Sequence, residues 1–191
     1  ISLTCLNLPP DVRFSPENMH LVGVLPGPRE VGVQPFLVPL VNDLLQLWRG
    51  QNFYSCVDPA SNATRVRIAL VPVVCDMQAS RKVIGFVSPS PKANMACPFC
   101  KCTYSSMSDI DIIQGNYDIR TREEWLQQAK DFRDSLKVGV RNNLKRDNGV
   151  TWSELLRLPY WDPTRFTAVD GMHNLLLGLI QTHVRRVWGV E

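Results

Sequence analysis

Three groups of residues in this chain have types and spacings that could do chemistry. The first is Cys97-Pro98-Phe99-Cys100, with Cys102 two residues on. The C-x-x-C spacing lets two thiolates point at one tetrahedral ion, and a Pro and an aromatic between them are compatible with a tight knuckle. Zinc normally takes four ligands, so one pair is half a site. The rival is a thioredoxin-like redox motif, which expects the pair to open a helix after a strand. Here the pair stands in an irregular stretch rich in Pro, Lys and Ser, which favours metal over redox chemistry; a chance pair with no function remains a third reading.

The second is Asp76, which ends the apolar run Val71–Cys75. A carboxylate at the C-terminal end of a buried strand lies where α/β proteins place their sites. Metal-dependent phosphoryl transfer needs such hard oxygens to hold Mg²⁺ over the scissile phosphate. The plainer reading is that Asp76 caps a helix beginning at Met77. The third group is Asp170-Gly171-Met172-His173. Positions i and i+3 on a helix share a face, so carboxylate and imidazole can converge on one ion. Taken alone, Asp170 reads as a cap and His173 as a partly exposed polar residue. Added to Cys97 and Cys100, they complete four ligands of the right type. His183 is a weaker candidate, about 80° around the helix from His173 by the 3.6-residue period, and His20 stands in a strand as a structural residue.

Arg81 and Lys82 follow Asp76 by one helical turn and are placed to meet a phosphate near a metal. Lys137, Arg141 and Lys145 recur at i, i+4 and i+8, a stripe that could follow a phosphate backbone but reads by default as a solvated face.

These residues need elements to hold them. Ile1–Leu8 and Met19–Leu25 read as strands, stopped by Pro9-Pro10 and by the turn cluster Pro26-Gly27-Pro28. Phe36–Trp48 carries an apolar face at helical spacing, opened by Pro35 and closed by Gly50, with a polar loop over Gln51–Ala63. Arg65–Asp76 reads as one long buried strand, Met77–Val83 as a helix, Gly85–Ser88 as a brief strand or turn, and Ser88–Ser108 as an irregular knob. Thr121 with Glu124 is a capping box for a helix reaching Arg146, with a stripe of Trp125, Ala129, Phe132 and Leu136. Thr151 with Glu154 is a second capping box. Asp170 caps a last helix through Trp188, whose buried face is expected to be Leu175, Leu176, Leu179, Ile180, Val184 and Val187.

The 191 residues, 45% hydrophobic and 20% charged, suit one soluble domain or slightly more, and a net charge of +3 is too small to imply nucleic-acid binding by itself. Apolar stretches such as Ile68–Cys75 fall far short of the ~20 residues that cross a bilayer. The six cysteines, among them Cys5, Cys56 and Cys75, carry no mark of secretion, which favours a reducing compartment. Both ends look cut from a longer polypeptide. The order of elements suits an α/β domain followed by a helical region: residues 1–90 as the core, 91–108 as a Cys-rich loop, and 109–191 as the helical part.

The chain resembles the transposases of CACTA (En/Spm-type) DNA transposons, including relatives in fungal genomes. The resemblance rests on Leu6-Asn7-Leu8-Pro9-Pro10, Leu25-Pro26-Gly27-Pro28, Phe36–Leu44, Cys75-Asp76-Met77-Gln78-Ala79 with Lys82 and Gly85-Phe86, Ala96–Cys100, and Asp170–Gly178, in the family's order. It implies an RNase H-like core of the DDE/D type, incomplete at both ends, with Asp76 as the second catalytic carboxylate and a ligand for Mg²⁺ or Mn²⁺. The first catalytic acid is expected upstream of Ile1 and the third beyond Glu191, so this polypeptide by itself is expected not to cut DNA. A relative by descent, the recombinase of immunoglobulin genes, has a Cys-x-x-Cys pair that shares zinc with a downstream His pair. By that analogy Cys97, Cys100, Asp170 and His173 hold a structural zinc. The resemblance further implies DNA as partner, a possible homo-oligomer, no membrane contact and a nuclear location. Two other readings stand beside it: a non-catalytic, zinc-stabilised DNA-binding or interaction module derived from a transposase, and a thiol redox protein using Cys97 and Cys100.

Overall fold

A computed structural model describes residues 1–25, 32–55, 57–58, 62–90 and 93–190. The Pro26-Gly27-Pro28 turn cluster and Cys56 lie outside the described residues. The chain is mixed α/β. Strands β1 (Ser2–Thr4) and β2 (Met19–Leu21) pair antiparallel around the short helix α1 (Pro10–Arg13). Arg13 holds that connection together by donating to the carbonyls of Leu6 and Leu8.

Helix α2 (Gln34–Arg49) forms where its apolar spacing predicts and stops at Gly50, whose φ of 97° is open to glycine at little cost. It buries Leu37, Leu40, Val41 and Leu44, and Pro39 sits within it. The stretch expected as a polar loop contributes β3 (Gln51–Phe53), which pairs antiparallel with β4 (Thr64–Val66).

Arg65–Asp76 is not one long strand. It divides into β4 and β5 (Val73–Cys75), separated by a segment ending in Pro72, which has no N–H to give to a ladder. The Leu70 amide bonds instead to the Tyr160 hydroxyl at 2.8 Å, and Val74 is 61% exposed. Helix α3 (Met77–Ile84) follows β5 directly and ends at Gly85, where φ is 75° and an added Cβ would lie 2.7 Å from the Thr151 carbonyl.

After the knob come α4 (Ile110–Ile113), α5 (Arg122–Asp134) and α6 (Val138–Asn148). The single helix expected from Thr121 to Arg146 breaks at residues 135–137, where Leu136 is 97% exposed and so has no core face to continue. Thr121 caps α5 as expected, its Oγ1 accepting the Glu124 amide at 3.2 Å. The second box is corrected: Ser153, not Thr151, caps the 3₁₀ turn Glu154–Arg157. Strand β6 (Thr167–Val169) then pairs parallel with β5. The last helix widens to π geometry over Met172–Ile180 and continues as α7 (Gln181–Arg186). Its apolar residues Leu175, Leu176, Leu179, Ile180 and Val187 are exposed, against the expectation of a buried face.

One core joins these pieces. Leu37, Val41 and Leu44 of α2 meet Ile84, Phe86, Trp125, Ala129, Val150, Leu155, Leu158 and Trp161. Each such side chain removed from water contributes about 1.5–3 kcal/mol. Trp125 tilts against Phe86 at 5.4 Å between ring centroids, so α5 is anchored to the segment leading into the knob. Among the described residues no helix is long and apolar enough to cross a membrane.

Candidate metal and DNA sites

The knob is built by chain reversal. Met95 and Thr103 form an antiparallel bridge, and the Ala96 amide donates to the Cys102 carbonyl at 3.1 Å. A second bridge joins Cys100 to Ile119, and the Arg120 amide donates to the Phe99 carbonyl at 3.0 Å. The reversal brings three sulfurs together. The Sγ atoms of Cys97, Cys100 and Cys102 all lie within 4.8 Å of one another, with Cys100 and Cys102 buried and Cys97 half-buried. The Phe99 amide donates to Cys97 Sγ at 3.3 Å, placing a positive dipole end where a thiolate would sit. Burial pushes the Cys100 thiol up to about 12, with a backbone hydrogen bond from Cys102 acting the other way. A metal here would have to displace protons, as thiophilic cations do.

Asp76 sits at the C-terminal end of β5 and caps α3. Its Oδ1 accepts from the Gln78 and Ala79 amides, both at 2.8 Å. Both bonds fall on one oxygen, so capping does not use Oδ2, and the cap and metal-ligand readings are compatible. The parallel register pairs Cys75 with Val169, and the Asp170 amide donates to the Cys75 carbonyl at 3.0 Å. Asp76 and Asp170 therefore leave neighbouring parallel strands at the same end. Asp170 Oδ1 accepts from the Met172 amide at 3.0 Å, and Oδ2 is hydrogen-bonded to His173 Nδ1. That bond holds the Asp170 carboxyl below the usual carboxylate range. It raises the His173 imidazole, with a smaller push from Asp76.

The expected zinc set is therefore not assembled. Asp170 and His173 are drawn to Asp76 by the β5–β6 register. Among the described residues, the group of three or more possible metal ligands whose atoms converge is made of cysteines alone.

The two basic residues after Asp76 part ways. Arg81 is only 5% exposed, and its guanidinium donates to the Val87 carbonyl at 2.7 Å and the Ala96 carbonyl at 2.8 Å. It lines the same groove as Lys82, but the helical period turns most of its side chain inward beneath the knob, where two backbone carbonyls hold its guanidinium. Lys82 is exposed and lines a groove of about 780 Å³ with Lys145 and Arg146 of α6. Sequence reasoning missed Arg120, which is 4% exposed and donates through Nε to the Cys97 and Cys100 carbonyls, each at 3.2 Å. No local pattern marks it. The Cys102 signal was present in the C-x-x-C-x-C spacing.

A family model described as transposase family tnp2 matches residues 1–156, a span that includes Asp76 and the three cysteines but not Asp170 or His173. No curated protein and no solved structure matches the chain. With 156 of 191 residues matched, and the strand-end carboxylate and cysteine knob inside the match, the chain belongs to the tnp2 transposase family.

Proposed function

We propose that this chain is part of the catalytic region of a CACTA-like transposase, built on an RNase H-like core, in which Asp76 is one of the carboxylates that hold Mg²⁺ or Mn²⁺. The observation that carries the reading is the pairing of β5 with β6, which ends two adjacent parallel strands in Asp76 and Asp170. Hard carboxylate oxygens at one sheet end suit a divalent cation with oxygen ligands. Such an ion supplies an activated nucleophile and charge neutralisation for in-line attack on a phosphodiester.

The residues of this chain then divide the remaining work. The α3 amides fix Asp76 through Oδ1 and leave Oδ2 directed by the same cap. Asp170 and His173 orient each other through the hydrogen bond that raises the imidazole and lowers the carboxyl. Lys82, Lys145 and Arg146 line the groove and offer cations to a DNA backbone. A structural zinc at the knob belongs to the same reading, because it would fix the segment that carries Arg120 and packs on α5.

Paramagnetic broadening by Mn²⁺ tests the metal assignment on this chain. Amides of residues 75–79 and 170–173 should broaden first, and Asp76→Asn should abolish the effect. Broadening elsewhere, or unchanged in Asp76→Asn, would remove Asp76 from the site.

A further inference from the structure

The three sulfurs are flanked by two buried cations, Arg81 and Arg120, 5% and 4% exposed. Arg81 donates to the Val87 and Ala96 carbonyls, and Arg120 to those of Cys97, Cys100 and Asn148. Both guanidiniums lie over the Phe86 ring, at 5.4 and 5.1 Å from its centroid. Among the described residues neither forms a salt bridge to Asp or Glu, and the buried Arg81 Nε has no hydrogen-bond partner. Glu124, the carboxylate that acts on Arg120, is itself engaged by Lys101 Nζ at 3.0 Å.

A buried charge is tolerated when an opposite charge stands near it. The acidic groups that act on Arg81 are the thiols of Cys97 and Cys102, and all three cysteines act on Arg120. With three neutral thiols, Arg120 would have only Glu124, which Lys101 shares, and Arg81 would have no acidic group acting on it. Three thiolates around a divalent cation carry one net negative charge, and a fourth, anionic ligand would bring the balance to zero against the two arginines. The Phe99 amide aimed at Cys97 Sγ favours the same anionic state.

We propose that Cys97, Cys100 and Cys102 form a three-thiolate site for a thiophilic divalent cation, zinc, with Arg81 and Arg120 as its buried counter-ions and the fourth position taken by a ligand from outside this group. Zinc fits because it accepts sulfur in tetrahedral geometry and needs no redox partner. Its uptake releases the three thiol protons to solvent. Cys102 replaces Asp170 and His173 in the ligand set, and Arg81 acts on the site as a positioning residue. The site stands whether or not Asp76 holds a catalytic metal, since its readouts lie in the knob and use a different ion.

The test is alkylation footprinting of the whole chain, reduced, with and without one equivalent of zinc, read cysteine by cysteine by mass spectrometry. Zinc should protect Cys97, Cys100 and Cys102 together while leaving Cys5 and Cys75 unchanged, with one ion bound per chain. In chelator competition Cys102→Ser should lose affinity, and Asp170→Asn should not. Arg120→Gln should weaken zinc by roughly tenfold to hundredfold, the range for groups that orient or compensate metal ligands, and Arg120→Lys should restore most of it. Arg81→Gln repeats the charge test where Arg120→Gln fails to fold. Cys102 alkylating equally fast with zinc, a Cys97–Cys100 disulfide under reducing conditions with no zinc uptake, or unaltered affinity in both Gln variants would overturn the proposal.

Discussion

The knob and the strand-end acids are built on opposite principles. Around the cysteines, polar groups are buried and held by backbone carbonyls: Arg81 and Arg120 each reach two or more, and Phe86 and Trp125 pack beneath them. At the ends of β5 and β6, Asp76, Asp170 and His173 stand near solvent and are positioned by helix starts. The terminal helix beyond them leaves Leu175, Leu176 and Leu179 exposed. A buried site resists change because its scaffold is the core itself. An exposed one is set by short-range bonds and can be altered without unfolding the protein.

The comparison breaks most sharply at the core. Trp161→Ala removes a fully buried ring from the cluster that carries the knob and should cost about 3–5 kcal/mol. Urea unfolding measures this, and a cost near zero would show that the knob does not depend on that core. Next comes the Asp76 pair of variants. Asp76→Ala deletes both cap bonds and should cost about 1 kcal/mol, whereas Asp76→Asn keeps a good cap and should change stability little. Equal losses in the two would mean that the charge, not the cap, stabilises α3.

Much of this was legible in the sequence where the cause is local. The caps at Asp76, Thr121 and Asp170 depend on a side chain and the next few amides, and each forms as read. The α2 face and the irregular knob were also readable. Pairings across the chain were not. The 51–53 and 64–66 hairpin, the β5–β6 register and the break around Leu136 depend on what the rest of the molecule covers. Ligand type alone groups Asp170 and His173 with the cysteines and cannot say which strand lies beside which. Arg81 illustrates the same limit, since one residue of helical phase separates the buried guanidinium from the exposed Lys82.

Smaller effects sharpen the contrast. Leu176→Ala on the exposed terminal helix should stay within about 0.5 kcal/mol of the parent chain. A larger loss would reveal packing of that helix in solution. Least in energy but clear in spectroscopy is the Asp170–His173 pair. His173 is raised by its hydrogen bond to Asp170, so its contribution is full below the usual imidazole range and fades as pH rises through its folded value. Asp170 is lowered by the same bond, so its contribution is present above the usual carboxylate range and fades as pH falls through its own. The pair therefore stabilises the interval between and weakens on both flanks. In an NMR titration Asp170→Asn should return His173 toward its ordinary value; no movement would separate the two residues.

The central claim is that Asp76 serves a divalent cation in DNA strand cleavage. Cleavage of a DNA substrate in Mg²⁺ by an active transposase containing this sequence, compared with its Asp76→Asn variant, tests it most directly. The account predicts that the variant folds with unchanged stability, because Asn keeps the α3 cap, and loses strand cleavage. A folded Asp76→Asn protein that cuts DNA as fast as the parent would contradict it.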